Sequence, residues 1–144
     1  MPGSLWGRVL ALFRRTELPT HLRYGLLGEK AARRQLRRNG LKFLVANFRS
    51  PRGEIDLVCR DKDCLVFVEV KTRSSEEWSR PAAAVDGERR RRLTRAGLDY
   101  LRLLKNPRVK VRFDIVEVLL NDGAVAQVRH LPNSFPMERP YRYD

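Results

Sequence analysis

Three charged side chains interrupt two otherwise apolar stretches of the sequence, and their types suit phosphodiester chemistry. Asp56 stands in GEIDLV, and Glu69 and Lys71 stand in VFVEVKT. Charged side chains are rarely buried in strands unless they are paired or bind a metal ion. Two carboxylates can hold a hard divalent cation, and a lysine can position water or offset charge on a phosphate. These three residues are therefore candidate catalytic groups.

The spacing of the three residues favours a β-hairpin that brings them together. A turn centred between Lys62 and Asp63 places Asp56 opposite Glu69 on antiparallel strands. Lys71 then lies on the same face, because residues two apart in a strand point the same way. A slip of one residue would send Asp56 to the opposite face. The facing carboxylates would repel each other, and Mg²⁺ or Mn²⁺ would relieve that repulsion, although the spacing equally allows a structural ion-pair cluster without metal.

The first helix is predicted over residues 24–40 and carries a further carboxylate. Ala32 and Leu36 belong to its inward face, and an Asn-Gly pair at its end is a typical stop signal. Glu29 lies two turns before Leu36 and therefore on nearly the same inward stripe. The alternative is a surface glutamate that pairs with Arg33 one turn later.

The remaining elements follow from periodicity and turn residues. Strands are predicted over 41–48, 54–60, 64–72, 109–120 and 124–131, and a second helix over 88–106. Its inner stripe is expected to contain Val85, Arg89, Leu93, Ala96, Tyr100, Leu103 and Leu104. From Pro132 onward we expect no regular structure. The resulting order, α-β-β-β-α-β-β, indicates a single mixed α/β domain.

The charge of the chain points to a polyanionic partner. The 144 residues carry a formal net charge of +13, and 42% hydrophobic residues are enough for a folded core. The charge is spread along the chain, which favours nucleic acid over a membrane surface. The run Arg89 to Arg92 begins the second helix, where the helix dipole disfavours cations, so we expect it to face phosphate. A solvated helix face is the alternative for this run, and a structural partner of RNA or the ribosome is an alternative for the whole chain.

Other segments bear on compartment and accessory contacts. Cys59 and Cys64 flank the predicted turn and are too few for a disulfide scaffold, which is typical of a reduced, cytoplasmic protein. No apolar run is long enough to span a membrane, and no signal peptide is predicted. Residues 1–21 form a basic amphipathic arm that could dock on the domain, bind nucleic acid or seek a surface. Trp78 is expected in a polar loop, either packed over apolar surface or stacked on a base.

The residues around the hairpin also resemble a known family. GEIDLV followed by VFVEVKTRS is similar to the YraN-type family of small bacterial proteins inferred to be endonucleases. That family in turn resembles the restriction-endonuclease-like superfamily, whose active site is a D…(D/E)-x-K arrangement. Further landmarks are GE at 28–29, NFR at 47–49, RFDIV at 112–116 and NSF at 133–135, so the resemblance spans most of the chain.

The resemblance implies a fold and a site. The implied fold is a restriction-endonuclease-like three-layer core, in which helices flank a mixed β-sheet. The implied metal ligands for Mg²⁺ or Mn²⁺ are Asp56 and Glu69, and Lys71 would be catalytic. Glu29 would be an additional carboxylate that ligates the metal directly or through water. Two departures are Arg89, where the family commonly has a lysine, and an N-terminal arm that is longer than expected.

These observations lead to one hypothesis about function and one main alternative. The leading hypothesis is a metal-dependent endonuclease that hydrolyses phosphodiester bonds in DNA, with structured or branched DNA as a candidate substrate. Arg73 and the run from Arg89 to Arg92, that is Arg89, Arg90, Arg91 and Arg92, would bind phosphate. The alternative is a non-catalytic nucleic-acid-binding protein on a nuclease-like fold. The predicted division is an arm at 1–21, a nuclease-like domain at 22–135 and a tail at 136–144, and a homodimer would suit cleavage of both strands.

Overall fold

The protein forms one β-sheet with a helix on each face. The computed structural model describes residues 4–8, 19–74, 86–137 and 141–143. Trp78 and most of the predicted N-terminal arm lie outside the described residues. The elements are α1 (Thr20–Arg38), β1 (Lys42–Ser50), β2 (Gly53–Asp61), β3 (Cys64–Ser74), α2 (Gly87–Leu103), β4 (Lys110–Asn121) and β5 (Ala124–Phe135). This order confirms the predicted mixed α/β topology.

Helix α1 ends in the way its sequence predicts. Gly40 adopts a left-handed backbone with φ of 88°, which glycine accepts without steric cost. Its N–H donates to the carbonyl of Arg37, and the N–H of Leu41 donates to the carbonyl of Leu36, both at 3.0 Å. Leu41 and Leu36 are both buried in the same apolar cluster. This Schellman motif satisfies the last carbonyls of the helix and turns the chain into β1.

The five strands lie in sequence order, β1-β2-β3-β4-β5. All neighbours are antiparallel except β3 and β4, which are parallel. Parallel strands require a crossover connection, and α2 lies in the segment that joins them. The predicted hairpin between β4 and β5 is confirmed, with Asp122 and Gly123 at positive φ. The expectation of irregular structure from Pro132 is wrong, because β5 continues through Phe135 in pairing with Phe113.

The sheet separates two apolar clusters, which gives three layers. One cluster packs α1 against the sheet through Ala32, Leu36, Leu41, Leu57, Cys59, Val66, Val68, Val116, Val118 and Leu120. The other packs α2 against the opposite face through Ile55, Val58, Leu65, Phe67, Leu93, Ala96, Leu101, Phe113, Ile115 and Phe135. Burial on both faces explains why β3 and β4 are nearly continuous apolar runs. The three-layer arrangement predicted for the core is therefore present.

The inner stripe of α2 differs from the prediction at its end. Leu93, Ala96 and Leu101 are buried, whereas Leu103 is 70% exposed. Leu104 is the C-cap and is also exposed. The helix has 17 residues and ends at Leu103, whereas the prediction extended it to residue 106. The last residues of the predicted stripe therefore lie beyond the part of α2 that packs on the sheet.

The structure confirms the prediction for the cysteines and does not test the predicted division of the chain. Cys59 and Cys64 are free thiols on β2 and β3, as expected. Burial raises the pKa of the Cys59 thiol to about 11, which is typical of an unreactive core cysteine. Among the described helices none is long and apolar enough to cross a membrane. The division into arm, domain and tail stays a prediction.

Candidate active site

The register of the central hairpin is the predicted one. Leu57 pairs with Val68 and Asp61 with Cys64, so the turn is centred between Lys62 and Asp63. The backbone pairs stop at Leu57 and Val68, one residue before Asp56. There the backbone N–H of Val70 donates to Oδ2 of Asp56 at 2.8 Å. The Asp56 carboxylate thus takes a position that a backbone carbonyl would take in a continued ladder.

Glu69 is held by two cations. It is 3% exposed and belongs to β3, on the sheet face that α2 covers. Nε of Arg89 donates to Oε1 at 3.1 Å, and Nη2 donates to Oε2 at 2.8 Å. Nζ of Lys71 lies 3.4 Å from Oε1. A bidentate arginine is the geometry expected for a buried carboxylate, so the first turn of α2 is tied to β3 at this point.

Asp56 is the carboxylate in the pair whose charge is poorly compensated. Burial, followed by the negative charge of Glu69, raises the pKa of Asp56 from 3.8 to about 7. The hydrogen bond from Val70 and the charge of Arg89 oppose this shift without cancelling it. Two carboxylates that share one site tend to retain a proton between them unless a cation neutralises the second charge.

Glu29 lies on α1 and shares a cavity with Asp56, whereas Glu69 and Lys71 do not line that cavity. A cavity of about 600 Å³ separates α1 from the ends of β2 and β3. Its lining residues are His21, Leu22, Gly25, Leu26, Glu29, Asn47, Arg49, Glu54, Asp56, Val70 and Thr72. Glu29 is half-buried and, among the residues that the structure describes, forms no ion pair, so the alternative pair with Arg33 is not present.

The close approach of α1 to β3 depends on Gly28. A Cβ atom at this position would lie 1.9 Å from Oγ1 of Thr72. Only a residue without a side chain fits there. Because Glu29 follows directly, the contact between Gly28 and Thr72 sets the depth at which Glu29 enters the cavity.

The predicted phosphate-binding arginines do not form one surface. Arg89 pairs with Glu69, and the guanidinium of Arg90 lies 5.4 Å from the ring centre of Phe135. Arg91 and Arg92 are exposed. Nε of Arg73 lies 3.6 Å from Oε2 of Glu117. Of the five arginines, only Arg91 and Arg92 are exposed to solvent. A role in phosphate binding stays a prediction for all five.

Glu117 is a charged residue near the site that the sequence analysis missed. It is fully buried on β4, opposite Lys71 in the parallel ladder, and burial raises its pKa. The charges of Arg129 and Arg73 act in the other direction. The sequence pattern could have identified Glu117, because strand periodicity places it on the same buried face as Phe113. The same reasoning that singled out Glu69 applies to it.

The donor set fits a hard divalent cation through two carboxylates. Carboxylate oxygens suit Mg²⁺ and Mn²⁺, and Mg²⁺ commonly takes one or two carboxylates together with water and phosphate. Asp56 and Glu69 supply such a pair, and the pKa of Asp56 is raised first by burial and then by the negative charge of Glu69, which a cation would offset. Within the described ranges no three His, Cys, Asp or Glu side chains converge into a metal-binding group. A contact of Glu29 with metal, directly or through water, stays a prediction.

Comparison with known proteins identifies the family. The family model for Uncharacterised protein family UPF0102 matches residues 28–118. A UPF0102 protein of Solibacter usitatus is 46% identical over 122 residues, which cover 83% of this chain and 90% of the relative. A UPF0102 protein of Desulfosudis oleivorans is 39% identical over 107 residues, covering 74% of this chain and 87% of the relative. One from Syntrophotalea carbinolica is 40% identical over 117 residues, covering 81% and 94%. The chain therefore belongs to Uncharacterised protein family UPF0102, the YraN family that its motifs resemble.

Proposed function

We propose that the protein is a Mg²⁺- or Mn²⁺-dependent nuclease that hydrolyses phosphodiester bonds in DNA. The observation that carries the proposal is the pair formed by the half-buried Asp56 and the buried Glu69, with Lys71 beside it, at the open end of the hairpin. A purely structural ion-pair cluster would compensate both carboxylates. Here Asp56 remains undercompensated beside a cavity about 600 Å³ in volume, so the arrangement favours an external cation.

The side chains have distinct roles in this proposal. Asp56 and Glu69 would hold the cation, which when bound activates water and stabilises charge on the phosphate. Lys71 is half-buried, and its ammonium is close enough to Glu69 to be oriented by it. Such an ammonium can orient the attacking water or offset charge that develops on phosphate oxygens. Glu29 would hold a water molecule at the α1 side of the cavity.

Arg89 gives the alternative a specific basis. Its guanidinium already binds both oxygens of Glu69, so a cation that binds Glu69 must share or displace that contact. If Arg89 stays in place, Glu69 is not free to bind a cation and the protein is a nucleic-acid-binding module on a nuclease-like fold. A weak or absent affinity for divalent cations would favour this alternative.

Cleavage of a DNA panel tests the proposal. Purified protein is incubated with Mg²⁺ or Mn²⁺ and linear, flapped and four-way DNAs, beside Lys71→Ala and a surface control, Lys105→Ala. We expect cleavage of at least one substrate by the wild type and the control, and loss of about two or more orders of magnitude in Lys71→Ala. Absence of cleavage on every substrate, or equal cleavage by Lys71→Ala, contradicts the nuclease proposal.

Metal affinity separates the two candidate functions. Calorimetric titration with Mn²⁺ should show binding by the wild type and a large loss in Asp56→Asn, which keeps the shape of the side chain. DNA binding without any Mn²⁺ affinity would support the non-catalytic alternative. Sedimentation of the protein, alone and with DNA, tests the predicted homodimer.

A further inference from the structure

The outward face of α1 carries more exposed cationic side chains than any other described element. We call this surface the α1 basic ridge, and its members are Arg23, Lys30, Arg33, Arg34, Arg37 and Arg38. All of them are exposed, while Gly28, Ala32 and Leu36 are buried on the opposite face of the helix. The ridge is therefore not required for packing of α1 on the sheet.

No carboxylate neutralises the ridge within the described residues. None of its members takes part in an ion pair there. Like charges four residues apart, such as Lys30 and Arg34, destabilise a helix. An arrangement that repels itself in the free protein is explained if an anionic partner neutralises it.

Local contacts account for only part of the ridge. Arg37 and Arg38 occupy the last turn, where the helix dipole favours cations. Arg33 lies 3.8 Å from the ring centre of Phe43, which orients the guanidinium but does not neutralise it. Lys30 and Arg34 lie in the middle of the helix with neither explanation. Their presence is the reason to assign a ligand to this face.

The ridge is continuous with the candidate active site. Leu26 and Glu29 line the cavity that holds Asp56, and they also line a groove of about 590 Å³ along the helix. The rest of that groove is formed by Lys30, Arg33, Arg34 and Arg37. The basic surface thus begins at the mouth of the cavity and runs along α1 away from it.

We propose that the α1 basic ridge binds the sugar-phosphate backbone of a DNA duplex arm and leads it to the candidate site. This inference rests on the proposed nuclease function and names the form of its substrate. From Lys30 to Arg38 the helix rises about 12 Å, which matches about three to four base-pair steps. Two rings lie against the ridge, Phe43 at Arg33 and Tyr24 at Arg23, and each has a guanidinium over it that single-stranded bases would have to displace, which favours a duplex. Contacts of this kind position a duplex without reading its sequence.

An anionic membrane is the less favoured partner for the same charges. The exposed apolar residues Leu22 and Leu26 lie at the cavity, near the first half of α1. The segment from Lys30 to Arg38 has its apolar residues turned into the core. Stable binding to lipid needs an apolar face that enters the bilayer, and this segment offers none.

Binding of a labelled duplex in the presence of EDTA tests the ridge separately from cleavage. The ridge variant is Lys30→Gln with Arg34→Gln and Arg37→Gln, and Arg34→Gln alone is a milder second variant. The matched control removes three exposed cations elsewhere, Lys105→Gln, Arg108→Gln and Arg142→Gln. We expect the ridge triple variant to bind at least about tenfold more weakly and to lower the salt slope by about 2 to 3. The single variant should lower the slope by about 1, and the control should change affinity much less.

The binding and cleavage results together separate the role of the ridge from the proposed nuclease function. Equal affinity and salt slope in the ridge variant and the control would overturn the ridge assignment, while cleavage by the wild type would leave the proposed function intact. A wild type that neither binds duplex nor cleaves any DNA would overturn both. Loss of binding to phosphatidylserine vesicles, with duplex binding unchanged, would assign the ridge to a membrane and also overturn the inference.

Discussion

Arg89 binds both carboxylate oxygens of Glu69, at 3.1 Å from Nε to Oε1 and 2.8 Å from Nη2 to Oε2. The contact joins α2 to β3, two elements that pack against each other only in the folded chain. The backbone N–H of Arg89 is at the same time bound by the side chain of Asp86, which caps α2. The backbone of Arg89 is therefore fixed by Asp86, and its guanidinium is fixed by Glu69.

Removal of the Arg89 guanidinium should destabilise the metal-free protein. In Arg89→Ala the buried Glu69 loses its bidentate partner, and breaking a buried pair costs about 3 to 5 kcal/mol. Chemical denaturation with a chelator present measures this loss. Mn²⁺ should restore part of the stability by neutralising Glu69. Arg91→Ala, on the exposed side of the helix, should stay within about 0.5 kcal/mol of the wild type, and equal effects in the two variants would contradict the assignment.

The raised pKa of Asp56 should appear as a pH dependence of stability. Between pH 3.8 and about 7 the folded state holds a proton that the unfolded state has lost. Stability of the metal-free protein should therefore fall as the pH rises through this window and level off above it, with an upper limit of about 4 kcal/mol. Asp56→Asn should flatten the profile and be more stable than the wild type at pH 8.

The matched control for Asp56 is the exposed Asp63 of the hairpin turn. Asp63→Asn should keep the wild-type profile of unfolding free energy against pH. If Asp56→Asn also kept that profile, Asp56 would not be the group that retains a proton near neutrality.

Gly28→Ala should weaken the packing of α1 on the sheet. The added methyl group would meet Oγ1 of Thr72, and overpacking of this kind costs about 1 to 3 kcal/mol. Thr72→Ala in the same chain removes the nearest atom and should recover much of the loss, which a double-mutant cycle measures. Gly25→Ala is the control, because a Cβ atom there has no neighbour within 4 Å. Additive effects at positions 28 and 72 would show that the contact between them does not limit how closely α1 packs on β3.

Asp114 should be the most sensitive carboxylate outside the candidate site. It is fully buried and accepts hydrogen bonds from Arg112, from the backbone N–H of Asn133 at 2.8 Å, and interacts with Nε2 of His130 at 2.7 Å. Burial opposes ionisation, yet these partners together lower the pKa of Asp114. The stabilisation is therefore present above pH 4 and is lost as the pH falls through the native pKa.

The Asp114 prediction has a direct measurement. Asp114→Asn should lower the unfolding free energy by about 3 to 5 kcal/mol at pH 7, because Asp114 is fully buried and its ionic partner Arg112, which is half-buried, keeps only Asp61. The difference from the wild type should shrink as the pH is lowered below 4. Asp122→Asn, in the exposed β4–β5 turn, is the control and should change stability by less than about 0.5 kcal/mol. A comparable loss in both variants would remove the special role of Asp114.

Local rules were sufficient for the order of the elements and for the register of the hairpin. Two-residue periodicity and the polar turn at Lys62 and Asp63 predicted the register that the strands adopt. The stop signal at Asn39 and Gly40 predicted the end of α1 to within two residues. These succeed because turn chemistry and side-chain alternation involve neighbours along the chain. The end of β5 was missed because pairing with β4 stabilises residues whose local sequence, including Pro132, favours irregular structure.

The sequence by itself determined that Asp56, Glu69 and Lys71 would lie in one hairpin, because periodicity and turn position set the register of adjacent strands. It also placed Glu29 on the inward side of α1. Only the tertiary structure decided which cation serves which carboxylate, since Arg89 meets Glu69 through the packing of α2 on the sheet. The depth of Glu29 likewise depends on the contact of Gly28 with Thr72, distant in sequence. Contacts between elements depend on the whole core, and no local pattern contains them.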